Sequence, residues 1–184
     1  MIITISGQMG TESRIIGRIL ARKLNMPHHS AGRFIRNLAE RRGISLDCFT
    51  KEAEKDTSID NDIDLMIADH GRTKDNFIID SKLAFHFIPK SVKILLKADL
   101  NTRVNRNFKY DSRTEFNVTR ESTLERIKRF DNSDKKRFLQ KYGLDYTDPK
   151  KYDLVIDNSN ISLEECADKI VEFLRQKRLI SMIK

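Results

Sequence analysis

Short apolar runs alternate along the chain with longer stretches in which apolar residues recur at helical spacing. The longer stretches predict helices, most clearly at 15–24 and at about 117–141. Strands separated by helices indicate an α/β protein with a parallel five-stranded sheet flanked by helices. The predicted strands are 2–6, 28–30, 77–80, 92–96 and 154–156.

The carboxyl ends of the predicted strands locate the candidate site. In an open parallel sheet, ligands bind in the crevice beyond those ends. This rule selects the loops that begin at Gly7, Ser30, Asp80 and Asp157. The sequence shows no internal repeat and no linker rich in Pro or Gly, so its 184 residues are expected to form one domain.

Positive charge is concentrated in one part of the chain. The formal net charge is +8, and residues 103–137 contain eleven Lys or Arg against six Asp or Glu. Such a stretch is typical of a solvated helix surface, and it would also suit a clamp for phosphates or a surface for nucleic acid. The composition leaves these three interpretations open.

Composition also disfavours two classes of protein. No apolar run approaches the roughly 20 residues that a bilayer-spanning helix needs, and the first residues form a strand pattern instead of a secretory signal. Cys48 and Cys166 lie far apart and lack the spacing of a metal site or a disulfide framework. We therefore expect a cytoplasmic protein with no membrane partner.

The loop at 7–14, "GQMGTESR", resembles a phosphate-binding loop with altered side chains. In GxxxxGK(S/T), backbone N–H groups hold the phosphates, the Lys reaches the β and γ phosphates, and the hydroxyl residue binds Mg²⁺. Here Glu12 replaces the second required Gly, Ser13 replaces the Lys and Arg14 replaces the hydroxyl residue. A plain strand-to-helix turn is the alternative interpretation.

Other residues of the loop can compensate in part for the missing Lys. Arg14 supplies positive charge, and Ser13 or Thr11 offers a hydroxyl group. A Glu12 carboxylate beside a triphosphate is repulsive unless it faces outward or holds a metal or a base. The phosphate-binding residues predicted for this loop are Gly7, Gly10, Thr11, Glu12, Ser13 and Arg14.

Asp80 closes the apolar run 77–80 and is the candidate for holding Mg²⁺ through a water molecule, with Ser13 as a second candidate beside the metal. An Asp at a strand end is also a common turn residue, so both interpretations stay open. The four histidines lack metal-binding spacing, and we expect them to be structural. The cations available for phosphoryl transfer are Arg36, Lys82, Arg106, Arg129 and Arg137.

Three stretches together resemble the cytidylate kinases of the short, archaeal type, a branch of the nucleoside monophosphate kinases. Residues 30–64, "SAGRFIRNLAERRGISLDCFTKEAEKDTSIDNDID", resemble the monophosphate-binding segment of that family. Residues 76–89, "NFIIDSKLAFHFIP", resemble its strand and phosphate-contacting turn, where the family usually has Arg in place of Lys82. Residues 133–160, "SDKKRFLQKYGLDYTDPKKYDLVIDNSN", resemble the end of its lid and its last strand.

The resemblance implies a P-loop NTPase-like fold with a helical monophosphate-binding insertion at 31–72 and a basic lid region at 103–137. It implies transfer of the γ phosphate of ATP to CMP or dCMP, with Mg²⁺ as cofactor. We expect a monomer whose partners are these nucleotides, and we do not expect nucleic acid among them.

The resemblance also assigns roles by position. Asp60 or Asp64 would accept a hydrogen bond from the cytosine amino group, although both could equally be ordinary helix residues. The other acceptor-binding residues would be Ser30, Gly32, Arg36 and Lys82. The residues near adenine would be Asp157, Asn158 and Ser159.

The catalytic residues implied by the resemblance are Arg137, Arg129, Lys82 and Asp80. Arg137 would close on the transferring group together with Arg129 or a neighbour. The first lid Arg of the family corresponds to Phe130 here, so Arg129 lies one residue away from the expected place.

The loop departs from the usual family pattern. "GTESRIIG" also resembles a second cytidylate-kinase-like group whose loop reads roughly Gly-Ser-Gly-Gly-Arg-x-Ile-Gly, which is a precedent for Arg14 and Gly17. Two alternatives to an active kinase remain. One is a nucleotide-binding protein of the same fold that has lost phosphoryl transfer, and the other is an RNA-binding protein that uses the basic stretch 103–137.

Overall fold

The computed structural model describes residues 1–53, 55–111 and 118–181, and its central feature is one parallel sheet. The strands lie in the order β2-β3-β1-β4-β5, and all neighbours pair in parallel. The predicted α/β class and five-stranded parallel sheet are thereby confirmed. The strands are β1 (Ile2–Gly7), β2 (His28–Ser30), β3 (Phe77–Asp80), β4 (Val92–Lys97) and β5 (Leu154–Asp157).

Helices follow each strand and cover the sheet. A short 3₁₀ helix at Pro149–Lys151 precedes β5. None of the described helices has the length and the apolar character that a bilayer crossing requires. The α-helices are α1 (Ser13–Leu24), α2 (Ala31–Arg41), α3 (Leu46–Ala53), α4 (Thr57–Thr73), α5 (Ala84–Phe87), α6 (Leu100–Asp111), α7 (Arg120–Tyr142) and α8 (Leu163–Gln176).

The sheet buries apolar side chains on both faces because successive residues of a strand point to opposite sides. Ile3 and Ile5 of β1 pack with α1 and α8 on one face. Ile2 packs with Ile67 of α4 and Ala84 of α5 on the other face. All six residues of β1 are buried, so its carboxyl end brings the loop at 8–12 to the middle of the sheet edge.

The helix ends agree with the signals in the sequence. Ser162, the N-cap of α8, accepts a hydrogen bond from the backbone N–H of Glu165 at 3.0 Å. Helix α7 begins with a reciprocal pair of hydrogen bonds between Thr119 and Ser122. Gly143, whose φ is 62°, directly follows its last residue and caps the helix. The start of the helix predicted at about 117 lies partly outside the described residues.

Residues 31–72 form α2, α3 and nearly all of α4, which share a small hydrophobic cluster of their own. That cluster consists of Ala39, Phe49, Ala53 and Ile59. Residues 103–137 comprise most of α6 and α7, with 112–117 outside the described residues. The assignment of these two regions as a monophosphate-binding insertion and a lid stays a prediction.

Two histidines pack edge to face where β2 meets α4. The ring centroids of His29 and His70 are 4.2 Å apart, and both rings lie about 5.5 Å from that of Phe77. Burial lowers the pKa of both imidazoles below the ordinary value of 6.5, and Lys74 adds to that effect. The folded state therefore favours two neutral rings.

This pair predicts a loss of stability in mild acid. Because both pKa values are lower in the folded protein, the unfolded chain binds more protons below about pH 6.5. The two neutral rings therefore contribute to the stability of the fold above that pH. This contribution is lost as the pH falls. The melting temperature should drop between about pH 7.5 and pH 5.5, and the drop should be smaller in His70→Phe. The exposed His86, replaced by Asn, serves as control and should leave the drop unchanged.

Candidate nucleotide site

The loop between β1 and α1 is a tight turn that requires its two glycines. The backbone N–H and the hydroxyl of Thr11 both donate to the carbonyl of Gln8, at 3.1 and 2.8 Å. A Cβ on Gly7 would lie 2.2 Å from Oγ1 of Thr11. Gly10 has φ +86°, and a Cβ there would lie 2.7 Å from the carbonyl oxygen of Arg103. Both predicted glycines are thus explained by close approaches.

Glu12 adopts the left-handed conformation that a glycine would normally provide. Its φ is 61° and its ψ 28°, and its carbonyl accepts the first hydrogen bonds of α1, from Ile15 and Ile16. The side chain is half-buried, and this burial raises the pKa of the carboxyl against the opposing charges of Arg106 and Arg14. Glu12 thus makes the left-handed turn that a glycine would normally make.

Arg106 and Asn158 connect this loop to the end of β5. The Arg106 guanidinium donates to the carbonyl of Gly10 at 3.3 Å and to the side-chain and backbone oxygens of Asn158 at 2.9 and 2.7 Å. Nδ2 of Asn158, a fully buried residue, donates to the carbonyl of Thr11 at 2.8 Å. The carbonyls of Gly10 and Thr11 thus both accept hydrogen bonds from side chains.

The other two residues predicted near adenine form a turn beside this bridge. The hydroxyl and N–H of Ser159 donate to Asp157 at 2.5 and 2.9 Å. The same hydroxyl accepts from the N–H of Asp99 at 2.8 Å, which fixes the start of α6. From the sequence, Arg106 was only one of several cations available for phosphoryl transfer. Its contact with Asn158 could not be predicted, because it depends on how α6 packs over the loop.

Asp80 is held by two residues of the neighbouring strand. Nε2 of His28 lies 2.7 Å from Oδ1 of Asp80, and the Ser30 hydroxyl donates to Oδ2 at 2.9 Å. The register of β2 on β3 sets Ser30 opposite Asp80, and His28 shares its face because it lies two residues earlier. A Cβ on Gly17 would lie 2.7 Å from Nε2 of His28, so this glycine leaves room for the imidazole.

His28 was expected to be structural, and in the structure it contacts Asp80. The available signal was the alternation His28-x-Ser30 ahead of an acid at the end of the adjacent strand. Among the described residues no group of three His, Cys, Asp or Glu side chains could hold a metal directly. Arg14 carries positive charge and cannot bind a metal ion. The residues present therefore fit a Mg²⁺ ion that is coordinated by a nucleotide and by water, with Asp80 holding one of the water molecules.

Arg36 and Arg14 are half-buried cations that lie close enough to repel each other, and Asp80 and Glu40 partly offset the charge of Arg36. The Arg36 guanidinium folds back over Gly32, whose ideal Cβ position is 3.7 Å from Nη1. Burial lowers the pKa of Arg36, and the charge of Arg14 lowers it further. Neither arginine forms an ion pair with any described residue. Two cations that repel each other in a half-buried site favour the binding of an anion.

Helix α7 contributes a second group of charges, all on its inner face. Asp134, which is almost fully buried, pairs with Lys82 and accepts from Arg137 Nη2 at 3.0 Å. Arg137 Nη1 lies 3.4 Å from Asp60 of α4. The structure thus brings together Lys82, Arg137 and Asp60, three of the residues predicted for acceptor binding and catalysis.

Arg129 lies elsewhere. It is exposed, and its guanidinium carbon is 5.7 Å from the ring centroid of its neighbour Phe130, which is buried. Phe130, the neighbour of Arg129, faces the interior. In the described structure Arg129 does not join the charged group around Arg137.

A cleft of about 440 Å³ opens between Gln8 of the loop and helices α6 and α7. Within it Arg103 donates to both oxygens of Asp131, at 3.3 and 2.5 Å, and burial raises the pKa of that carboxyl. The cleft is lined by Gln8, Ala98, Leu100, Arg103, Lys128, Asp131 and Asn132.

Comparison with known proteins identifies the family of this chain and proteins that share its fold. Residues 2–160 match the model of the cytidylate kinase-like family. The cytidylate kinase of Sulfolobus acidocaldarius is 36% identical over 186 residues, which covers 100% of this chain and 99% of that protein. The shikimate kinase of Aquifex aeolicus shares the fold with a TM-score of 0.63 at 17% identity, covering 97% of this chain and 99% of its own.

A further relative has a different name and is much longer. The S-adenosylmethionine-dependent nucleotide dehydratase of Lacinutrix mariniflava is 30% identical over 182 residues. The match covers 98% of this chain but only 37% of that relative. This chain therefore spans little more than a third of its length.

The left-handed conformation at Glu12 predicts the effect of two substitutions. Glu12→Gly should stabilise the fold by about 1 kcal/mol, because a side chain at positive φ costs about that much. Glu12→Ala removes the carboxylate but keeps the strain, so it should not reproduce the gain. Chemical denaturation of the three proteins measures both differences. Equal stabilities of the Gly and Ala variants would contradict the assignment of strain to this position.

Proposed function

The chain belongs to the cytidylate kinase-like family, and from this premise we propose that it transfers the γ-phosphoryl group of ATP to CMP or dCMP. The observation that carries the proposal is the pair of mutually repelling arginines, Arg14 at the loop and Arg36 at the candidate acceptor segment, neither of which forms an ion pair with a described residue. A donor and an acceptor phosphate between them would satisfy both. The dehydratase name of the longer relative supports only the general class of substrate, a nucleotide.

In the proposed reaction a phosphate oxygen of the acceptor attacks the γ phosphorus of ATP. A new P–O bond forms to the acceptor and the bond to the β–γ bridging oxygen breaks, which yields ADP and a nucleoside diphosphate. The attacking oxygen already carries negative charge, so the protein has to position the groups and offset their charge. No general base is required for that step.

The donor phosphates would bind at the start of α1, where N–H groups have no intrahelical partner. Arg14, one residue into the helix, supplies the cation that the loop otherwise lacks. Mg²⁺, when bound with ATP, offsets charge on the β and γ phosphates, and Asp80 would hold one of its waters. His28 and Ser30 orient Asp80 for that role.

The acceptor phosphate would bind Arg36 and Lys82. Lys82 gives a point charge instead of the two parallel hydrogen bonds of an arginine, and Asp134 holds it in place. Arg137, anchored by the same carboxylate, would complete the charge around the transferring group. The positive groups of the proposed site thus come from α1, α2, α7 and the turn after β3.

One observation favours a second candidate function, a nucleotide-binding protein with impaired transfer. Glu12 places a half-buried carboxyl in the loop where donor phosphates would bind, and its raised pKa reports poor solvation. Arg14 and Arg106 offset that charge in the kinase interpretation. Direct measurement of turnover separates the two functions.

The proposed function predicts that the protein phosphorylates cytidine nucleotides. Purified protein incubated with Mg-ATP should convert CMP or dCMP to the diphosphate faster than UMP, AMP or GMP. Nucleotide separation by ion-exchange chromatography quantifies each product. Nucleotide binding without product from any acceptor would instead support the impaired protein.

A matched pair of arginine variants tests the acceptor site. Arg36→Ala should lower kcat/KM for the acceptor on the order of a hundredfold, because a charge-assisted hydrogen bond contributes about 2–3 kcal/mol. The KM for ATP should change little. Arg33→Ala, an exposed position of the same helix, is the control and should resemble the wild type. Equal effects of the two substitutions would remove Arg36 from the acceptor site.

A further inference from the structure

Two ion pairs join helix α6 to helix α7, and they lie near opposite ends of α6. Near the start of α6, Arg103 donates to both oxygens of Asp131, at 3.3 and 2.5 Å. At the last residue of α6, Asp111 pairs with Arg126. Arg103 and Asp111 are both almost fully buried. The two pairs have the same chemistry, and the Arg103 pair lies beside the loop at 8–12, where the donor phosphates are proposed to bind.

The start of α6 packs directly on this loop. A Cβ on Gly10 would lie 2.8 Å from Cα of Arg103 and 2.5 Å from Nδ2 of Asn107, so the loop backbone touches α6 closely. One turn along the helix, Arg106 donates to the carbonyl of Gly10 at 3.3 Å. The loop and the first turns of α6 therefore form one packed unit.

Asp131 connects α7 to this unit. Besides the two hydrogen bonds from Arg103, the side chain of Gln8 in the loop favours the charged form of its carboxyl. The Asp131 side chain is 20% exposed and that of Arg103 only 4%. A bidentate contact between a guanidinium and a carboxylate fixes the relative orientation of the two groups more strictly than a single hydrogen bond does. The pair therefore sets where this part of α7 lies relative to the loop.

The residues of α7 that follow Asp131 hold charges of the proposed site. Asp134 comes three residues later, about 4.5 Å along the helix axis, and it pairs with Lys82 and with Arg137. Residues three apart lie on the same side of a helix. One side of α7 thus contacts the loop unit through Asp131 and the cations proposed for phosphoryl transfer through Asp134.

Helix α7 reaches α4 beyond this point. Arg137 lies 3.4 Å from Asp60. Asp64 accepts from Lys141 at 3.1 Å and from the hydroxyl of Tyr142. These contacts join the C-terminal half of α7 to the candidate acceptor segment, whereas Asp131 joins the same helix to the loop at 8–12.

We propose that Asp131 is a positioning residue that holds α7, and with it Lys82 and Arg137, at a fixed place relative to the loop at 8–12. It acts through Arg103 and Gln8 and does not contact the nucleotides. This inference rests on the proposed function, in which the γ phosphate passes from the loop to an acceptor beside those two cations. A displacement of about 1 Å in such a site lowers the rate on the order of a hundredfold. The loss of Asp131 should therefore affect the transfer step more than the binding of either nucleotide.

The test compares Asp131→Asn with Asp111→Asn, which weakens the other pair between the same two helices. Asn keeps one oxygen for the partner arginine, so both variants are expected to fold. Turnover with Mg-ATP and CMP gives kcat and KM, and calorimetry gives the dissociation constants of CMP and of a non-hydrolysable ATP analogue. Asp131→Asn should lower kcat about tenfold or more and change both dissociation constants by less than about twofold. Asp111→Asn should keep the kcat of the wild type.

A distance measurement tests the same inference without turnover. Spin labels on Arg18→Cys of α1 and Lys135→Cys of α7, in a protein that also carries Cys48→Ser, report the distance between these helices by pulsed electron paramagnetic resonance. Both labelled positions are exposed, and the remaining Cys166 is buried. The distribution of distances should be wider in Asp131→Asn than in the wild type and unchanged in the control variant.

The outcomes separate this inference from the proposed function. If the wild type forms no diphosphate, the proposed function fails, and the distance distributions alone decide whether Asp131 positions α7. If the wild type is active, an unchanged kcat in Asp131→Asn, or equal losses of kcat in it and in Asp111→Asn, would show the inference to be wrong.

A second variant covers the case in which Asp131→Asn does not fold. Arg103→Met combined with Asp131→Leu replaces the pair by apolar side chains, a change that often preserves stability. Apolar contact sets the orientation of two helices less strictly than a bidentate ion pair does. The double variant should therefore fold and show a low kcat and a wide distance distribution. A wild-type kcat and a narrow distribution in this variant would overturn the inference.

Discussion

The hydrogen-bonded bridge from Arg106 through Asn158 to the loop carbonyls is the interaction on which the candidate site depends. A phosphate-binding loop works by directing backbone N–H groups at an anion, so its carbonyls must be satisfied elsewhere. Here Gly10 and Thr11 give their carbonyls to Arg106 and Asn158. The same bridge joins the loop to the end of β5 and to α6. The backbone geometry therefore does not depend on the missing lysine.

The cations predicted for the site lie on separate elements, and they fall into two groups. Lys82 and Arg137 share the buried carboxylate of Asp134, which offsets part of their charge. Arg14 and Arg36 form no ion pair with a described residue and repel each other. The affinity of the proposed site for an anion is therefore expected to come mainly from Arg14 and Arg36.

The sequence predicted the sheet and the two essential glycines because these follow from local patterns. Buried β-branched runs specify strands whatever their partners are, and Gly7 and Gly10 follow the first strand directly, where a turn into the helix is expected. The contact of His28 with Asp80 was missed because it depends on the register of two strands separated by three helices. The different surroundings of Asp60 and Asp64 were equally unpredictable, since they depend on how α7 packs against α4.

Glu12 gives an argument for function that its chemistry alone would not give. A strand-to-helix connection with no other duty could relax, because many turn conformations avoid a positive φ for a glutamate. The chain instead holds Glu12 at φ 61°, between a glycine turn and the first turn of α1. Strain of this kind persists only where the surroundings determine the backbone, and such positions cluster at ligand sites. In the function that we propose, the backbone of this loop, and not a lysine, would hold the phosphates.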